Sequence, residues 1–209
     1  DLVRSRGLGD VYKRQSLTGL LNNSTIKQQI GARLQSLKRG QTGYLVVQDV
    51  DSFKKINDTN GHLFGDAVLC SFADELSNIF PEALKGRIGG DEFVFYVEDM
   101  DREHLEEKLK QLNRCMSDRY DDDKTGLHIS CSLGAAVTDG TVTDYNLLFQ
   151  WADAALYQVK SKGKGAYYLL DVKEGVALPG KSYLDSEENK EDEIAHKEAQ
   201  FESAEDLVL

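Results

Sequence analysis

Cysteine is scarce in this chain: Cys70, Cys115 and Cys131 are the only three in 209 residues, and no two form a Cys-x-x-Cys pair. That excludes a disulfide framework and a thiolate zinc site, so the three read as small hydrophobes in a reducing, cytoplasmic setting. Histidine is equally thin, with four dispersed residues. No apolar run approaches the roughly 18 residues that a membrane helix needs, and neither a secretory signal nor an internal repeat is legible. Positive charge is also short. Against 36 Asp and Glu stand 25 Lys and Arg, a formal net charge of -11 that argues against a nucleic-acid groove or an anionic membrane as partner. What is present suits one domain with extensions: 40% hydrophobic and 29% charged residues allow a real core.

The two ends differ from the middle. Ser5 to Gln15 resembles a translated sequencing adapter, so residues 1–15 read as a non-native leader; a genuine polar linker is the alternative. From Lys173 to Leu209, eleven acids face four lysines, which reads as an acidic, solvated tail with a short helix near Asp192 to Ala204. The domain then spans residues 16–172.

Within it, Thr25 to Leu37 places Ile26, Ile30 and Leu34 at helical spacing. Gly43 to Val50 is apolar and β-rich, as in a central strand buried on both faces, and runs into Asp49-Val50-Asp51. A short helical turn from Phe53 is broken at Asn60-Gly61. Phe64 to Phe80 then carries Val68, Leu69, Phe72, Leu76, Ile79 and Phe80 on one stripe. A hairpin follows, with arms at Lys85 to Ile88 and Phe93 to Glu98. Its Gly89-Gly90 turn is expected to use the positive φ open to glycine. Arg102 to Met116 reads as a helix with Leu105, Leu109 and Leu112 inward, and Leu127 to Thr138 as a strand. Asp144 to Lys162 is a helix stopped by Gly163 and Gly165, and Ala166 to Leu170 a last strand. The class is α+β, a mixed sheet with helices expected on one face.

The acids suggest chemistry. Asp91 and Glu92 stand at the hairpin tip and Asp49 at a strand end. On neighbouring strands they would face each other as hard oxygen ligands for magnesium. The alternatives are solvated corners for Asp91 and Glu92, and loop-end solvation or helix capping for Asp49 and Asp51. Backbone N–H groups of the Val50 to Lys54 turn, with Ser52 and Phe53 at its centre, and of Gly89-Gly90 could hold phosphate oxygens. Lys160 and Lys164, one helical turn apart, could reach the same phosphates or only answer the helix C-terminal dipole. Asn57 and Asp66 offer groups that read a purine edge, or else form a turn and stabilise a first helical turn.

Taken together these blocks resemble the GGDEF family of diguanylate cyclases over essentially all of Ser16 to Leu170. They are Leu17-Thr18-Gly19-Leu20; Asp49-Val50-Asp51-Ser52-Phe53-Lys54; Ile56-Asn57-Asp58 with Gly61-His62 and Gly65-Asp66; Gly89-Gly90-Asp91-Glu92-Phe93; Ser132-Leu133-Gly134; and Ala152-Asp153 to Ala155-Leu156-Tyr157 and Lys160. The resemblance implies a ferredoxin-like fold of the nucleotidyl cyclase and polymerase palm kind. It implies condensation of two GTP to cyclic di-GMP and two pyrophosphates at the interface of a two-fold homodimer. By the same resemblance Asp49, Asp91 and the Val50 carbonyl bind Mg²⁺, with Mn²⁺ as substitute, and Glu92 supports the site or the deprotonation of the 3′-hydroxyl. Asn57 and Asp66 read guanine, Gly89 and Gly90 admit the phosphates, and Lys54, Lys160 and Lys164 neutralise them. An upstream sensory domain that assembles the dimer is also implied.

Departures from the family pattern are few. Gln15 stands where Asp is usual, and Asn23 and Lys164 where Arg is usual. Lys164 keeps the charge without bidentate geometry. The inhibitory Arg-x-x-Asp is replaced in register by Phe80-Pro81-Glu82-Ala83, so no feedback through that segment is expected. The competing expectation is a catalytically silent GGDEF domain that binds GTP as an effector or serves as an interaction module.

Overall fold

The computed structural model describes residues 15–121 and 127–176. The expected leader before residue 15, and the acidic tail from residue 177 with its short helix, lie outside the described residues. Helix α1 (Asn23–Ser36) starts where the Asn22 side chain accepts from the Thr25 N–H at 3.0 Å, and it buries Ile26, Ile30 and Leu34. Strand β1 (Gly43–Val50) is buried along its whole length, as its apolar run requires. Helices α2 (Phe53–Asn60) and α3 (His62–Ile79) are separated by Gly61 at φ 85°. The hairpin is β2 (Leu84–Arg87) and β3 (Glu92–Glu98). Helix α4 (Arg102–Tyr120) is capped by Asp101, and α5 (Tyr145–Ser161) by Asp144, which accepts from the Leu147 N–H at 2.8 Å. Strands β4 (Cys131–Thr138) and β5 (Tyr167–Asp171) complete the sheet.

The strand order is β2-β3-β1-β4-β5, antiparallel throughout except for the β4–β5 pair. The mixed α+β sheet is as expected, but its helices cover both faces rather than one. Alternation along β1 explains this. Tyr44, Val46 and Val50 join a core with Phe72, Leu76, Leu105 and Leu109, while Leu45 and Val47 join another with Ile26, Ile30, Leu148 and Trp151. A strand buried on both of its faces must be covered twice.

Two further differences are local. β4 begins at Cys131 rather than Leu127, although the Ser130 carbonyl still accepts the Asp51 N–H (3.0 Å) in the register of the β1–β4 pair. At Gly134, α5 crosses β4 so closely that a Cβ would lie 2.1 Å from both the Ala152 carbonyl oxygen and the Leu156 nitrogen. That contact fixes α5 over the sheet, and with it the lysine end of the helix.

Candidate functional site

β1 and β3 are indeed neighbours, and their register sets Asp49 opposite Glu92, with the Val50 N–H donating to the Asp91 carbonyl at 3.4 Å. Asp49 lies on the face of β1 that packs on α5, and Lys160 from the last turn of that helix meets its Oδ2 at 2.9 Å. Burial still pushes the Asp49 carboxyl up to about 6; Lys160 opposes the rise, and Asp91 and Asp51 add to it. Glu92 is raised too, by burial first and then by the Asp49 charge, against the pull of Lys160. Asp153 on α5 shares the pattern, raised by burial and opposed by Lys160. Burial and mutual repulsion outweigh the single ammonium, which leaves the cluster short of positive charge.

The hairpin turn is built differently from its expected form. Gly89 and Gly90 do not take positive φ. Gly89 is needed for space instead, since a Cβ there would lie 2.9 Å from Glu92 Oε2, and Gly90 faces open space. The turn is held by the Ile88 N–H on the Glu92 carbonyl (2.9 Å) and by Arg87, whose Nε and Nη2 donate to the Gly90 carbonyl at 2.8 and 2.5 Å. Burial lowers the pKa of Arg87, while the Asp66 and Asp91 carboxylates oppose this. Arg87 is a residue that sequence reasoning missed; its place immediately before the turn was the available signal.

Lys160 and Lys164 are not one helical turn apart. α5 ends at Ser161, and Lys164 stands beyond Gly163 with φ 66°, donating to Ser52 Oγ at 3.2 Å. Lys160 serves Asp49 rather than only a helix dipole. Ser52, itself at φ 58°, makes no side-chain cap to α2, so the first N–H groups of that helix, from Phe53 and Lys54, lack one. The Lys54 side chain is exposed. Asp51 is neither a solvated corner nor a cap. It is 6% exposed and accepts from Ser130 Oγ and Ser132 Oγ, both at 2.6 Å, and from the Gly165 N–H at 3.0 Å.

Asn57 of α2 packs against Gly65, the residue before Asp66 on α3. A Cβ on buried Gly65 would lie 1.9 Å from Asn57 Oδ1, so the glycine makes room for the amide. That Oδ1 is buried without a hydrogen-bond partner. Half-buried Asp66 follows directly.

Among the described residues no three His, Cys, Asp or Glu side chains form a metal cage. The donor set instead fits a hard cation that keeps several waters and shares substrate phosphates: two carboxylates, Asp49 and Asp91, beside Val50, with Asp49 raised by burial first and by the Asp91 charge after it. Among the described residues no helix is long and apolar enough to cross a membrane.

Comparison with known proteins gives the family. The family model described as diguanylate cyclase, GGDEF domain, matches residues 13–166. The diguanylate cyclase DgcS of Shewanella oneidensis is 35% identical over 163 residues, covering 74% of this chain and 51% of that protein. The probable diguanylate cyclase DgcT of Escherichia coli is 30% identical over 168 residues, covering 78% of this chain and 37% of its own length. The chain thus spans about a third to a half of these two relatives. The crystal structure of the GGDEF domain of DgcB from Caulobacter crescentus in complex with c-di-GMP superposes with a TM-score of 0.67 at 26% identity, covering 75% of this chain and 95% of that one.

Proposed function

Because the chain belongs to the GGDEF family of diguanylate cyclases, we propose that it condenses two GTP molecules to cyclic di-GMP with release of two pyrophosphates. The observation that carries this reading is the meeting of Asp49, Asp91 and Glu92 at the β1–β3 edge, with Lys160 on Asp49. In this reading Asp49, Asp91 and the Val50 carbonyl hold Mg²⁺, or Mn²⁺ in its place. Once bound, the ion supplies charge stabilisation at the transferring phosphoryl group. Lys160, Lys164 and Lys54 neutralise the phosphates, the open flank of Gly90 beside Gly89 admits them, and the uncapped Ser52-Phe53 turn offers N–H groups. Asn57 and Asp66 read the guanine edge.

Glu92, in register opposite Asp49 and raised by burial above an ordinary carboxylate, takes the 3′-hydroxyl proton. The 3′ oxygen of one GTP then bonds to the α-phosphorus of the other as the bond to pyrophosphate breaks. Each domain holds one GTP, so a two-fold homodimer completes the site, in the cytoplasm, and activity depends on dimer concentration. Phe80, buried where the inhibitory arginine would stand, supports the absence of product feedback through that segment.

Product analysis tests the reading. The chain fused to a dimerising coiled coil, given GTP and Mg²⁺, is expected to yield cyclic di-GMP by chromatography with mass detection, and its Asp91→Ala variant none. GTP binding without turnover in a fusion shown to be dimeric would leave only an effector or docking domain.

Gly65→Ala probes the base-reading half. The methyl would displace Asn57, and weakening of GTP binding by about tenfold is expected from loss of one desolvated hydrogen-bond partner. Titration with a fluorescent GTP analogue, beside a circular dichroism melt, measures this. Unchanged affinity would remove Asn57 from the base site.

A further inference from the structure

We propose that Asp51 is a positioning residue for the phosphate-binding lysine, its carboxylate docking the Lys164–Gly165 loop onto the ends of β1 and β4. The inference rests on the reading of Lys164 as a phosphate partner. Two clasps join the same two chain segments. Asp51 Oδ2 accepts from the Gly165 N–H at 3.0 Å, and Lys164 Nζ donates to Ser52 Oγ at 3.2 Å, so consecutive residues on one side hold consecutive residues on the other. Ser130 Oγ and Ser132 Oγ occupy the two Asp51 oxygens at 2.6 Å, and Ser132 Oγ lies 3.3 Å from the Gly165 nitrogen. Charge-assisted bonds of this number, on a carboxylate withdrawn from water, fix its orientation.

The loop needs such a hold. Ser52, Lys164 and Gly165 all adopt left-handed backbone, at φ 58°, 66° and 61°, and the first two are not glycine. Strained non-glycine residues persist only where the surroundings over-determine them, and they gather at sites where position matters. The Lys164 N–H donates to the Val159 carbonyl in the last turn of α5 at 3.1 Å, which ties the loop to the helix; the Asp51 bond to the next residue, Gly165, ties it to the ends of β1 and β4. Asp51 therefore acts through Lys164 without touching the nucleotide.

A double-mutant cycle on nucleotide affinity tests this, read by titrating mant-GTP in Mg²⁺ buffer against the 209-residue chain. Asp51→Asn, which keeps the shape and loses the charge, and Lys164→Ala are each expected to weaken binding about tenfold. The double variant is expected to bind no more than about twofold weaker than either single, because both remove the same contact. Ser130→Ala, which removes one donor only, is expected to give a smaller loss with the same non-additivity toward Lys164→Ala. It serves as the reporter if Asp51→Asn melts at a much lower temperature. Independent losses that multiply to about a hundredfold, or unchanged affinity in Asp51→Asn, would overturn the assignment. Binding without cyclic di-GMP formation by the unaltered chain overturns the catalytic reading alone, and the cycle still decides this one. Failure of the unaltered chain to bind mant-GTP overturns both.

Discussion

Asp49→Asn is expected to abolish turnover and, at neutral pH without divalent cation, to raise the melting temperature. The carboxyl titrates at about 6 in the folded domain against 3.8 as the ordinary value, so the native state holds its proton more tightly than the unfolded chain does. Stability contributed by this group is therefore complete below about pH 4 and falls as pH rises through about 6. A shift of about two units corresponds to about 3 kcal/mol. Asparagine escapes that penalty but leaves Lys160 without its partner, so a net gain of about 1–2 kcal/mol is expected. Circular dichroism melts from pH 4 to 8 check the sign: the unaltered domain should lose stability relative to the variant across that window. A variant melting below it at pH 8 would show that the Lys160 pair outweighs burial. Turnover should fall by about a thousandfold or more, because in the proposed reading a ligand to the ion is gone.

Gly134→Ala is expected to have the largest effect on the fold. The added methyl would stand 2.1 Å from two backbone atoms of α5, at Ala152 and Leu156, and backbone cannot step aside as a side chain can. Forcing α5 off β4 costs about 3 kcal/mol, which for a domain of this size lowers the melting temperature by about 10 °C. Gly90→Ala is the control, since a methyl there meets nothing within 4 Å. A thermal melt of Gly134→Ala that coincides with the unaltered chain would show that α5 can lift freely. Should some protein remain folded, its turnover should still fall, because Lys160 rides on the displaced helix.

The elements were legible because their signals are local. Ile26, Ile30 and Leu34 at helical spacing, and an eight-residue apolar β1, need no distant partner to be read. The acid pair was legible for a similar reason, since one strand end and one hairpin corner each carry a carboxylate. What escaped depends on chain segments far apart. The Asp51 cage joins residues 79, 81 and 114 positions away, and no spacing rule reaches that far. A β1 buried on both faces already implied a sheet covered twice; which helices return to which side is what no single strand states. At Gly89 the residue type was informative but the reason differed: room for a neighbouring carboxylate, not a left-handed turn, while Gly90 faces open space.

The two halves of the site differ in how they can open. Asp49 belongs to the middle strand of five, laddered on one side to β3 and on the other to β4, so exposing it means dismantling the sheet. The lysines hang from a helix end and from a short strained loop beyond it, where opening takes only local fraying. The negative half is thus as slow to rearrange as the whole domain, while Lys164 is released as soon as its local clasps to Ser52 and Asp51 give way. In the proposed reading the acids and the clasped lysine are both in place before a phosphate arrives, and losing the clasp would unseat the lysine alone.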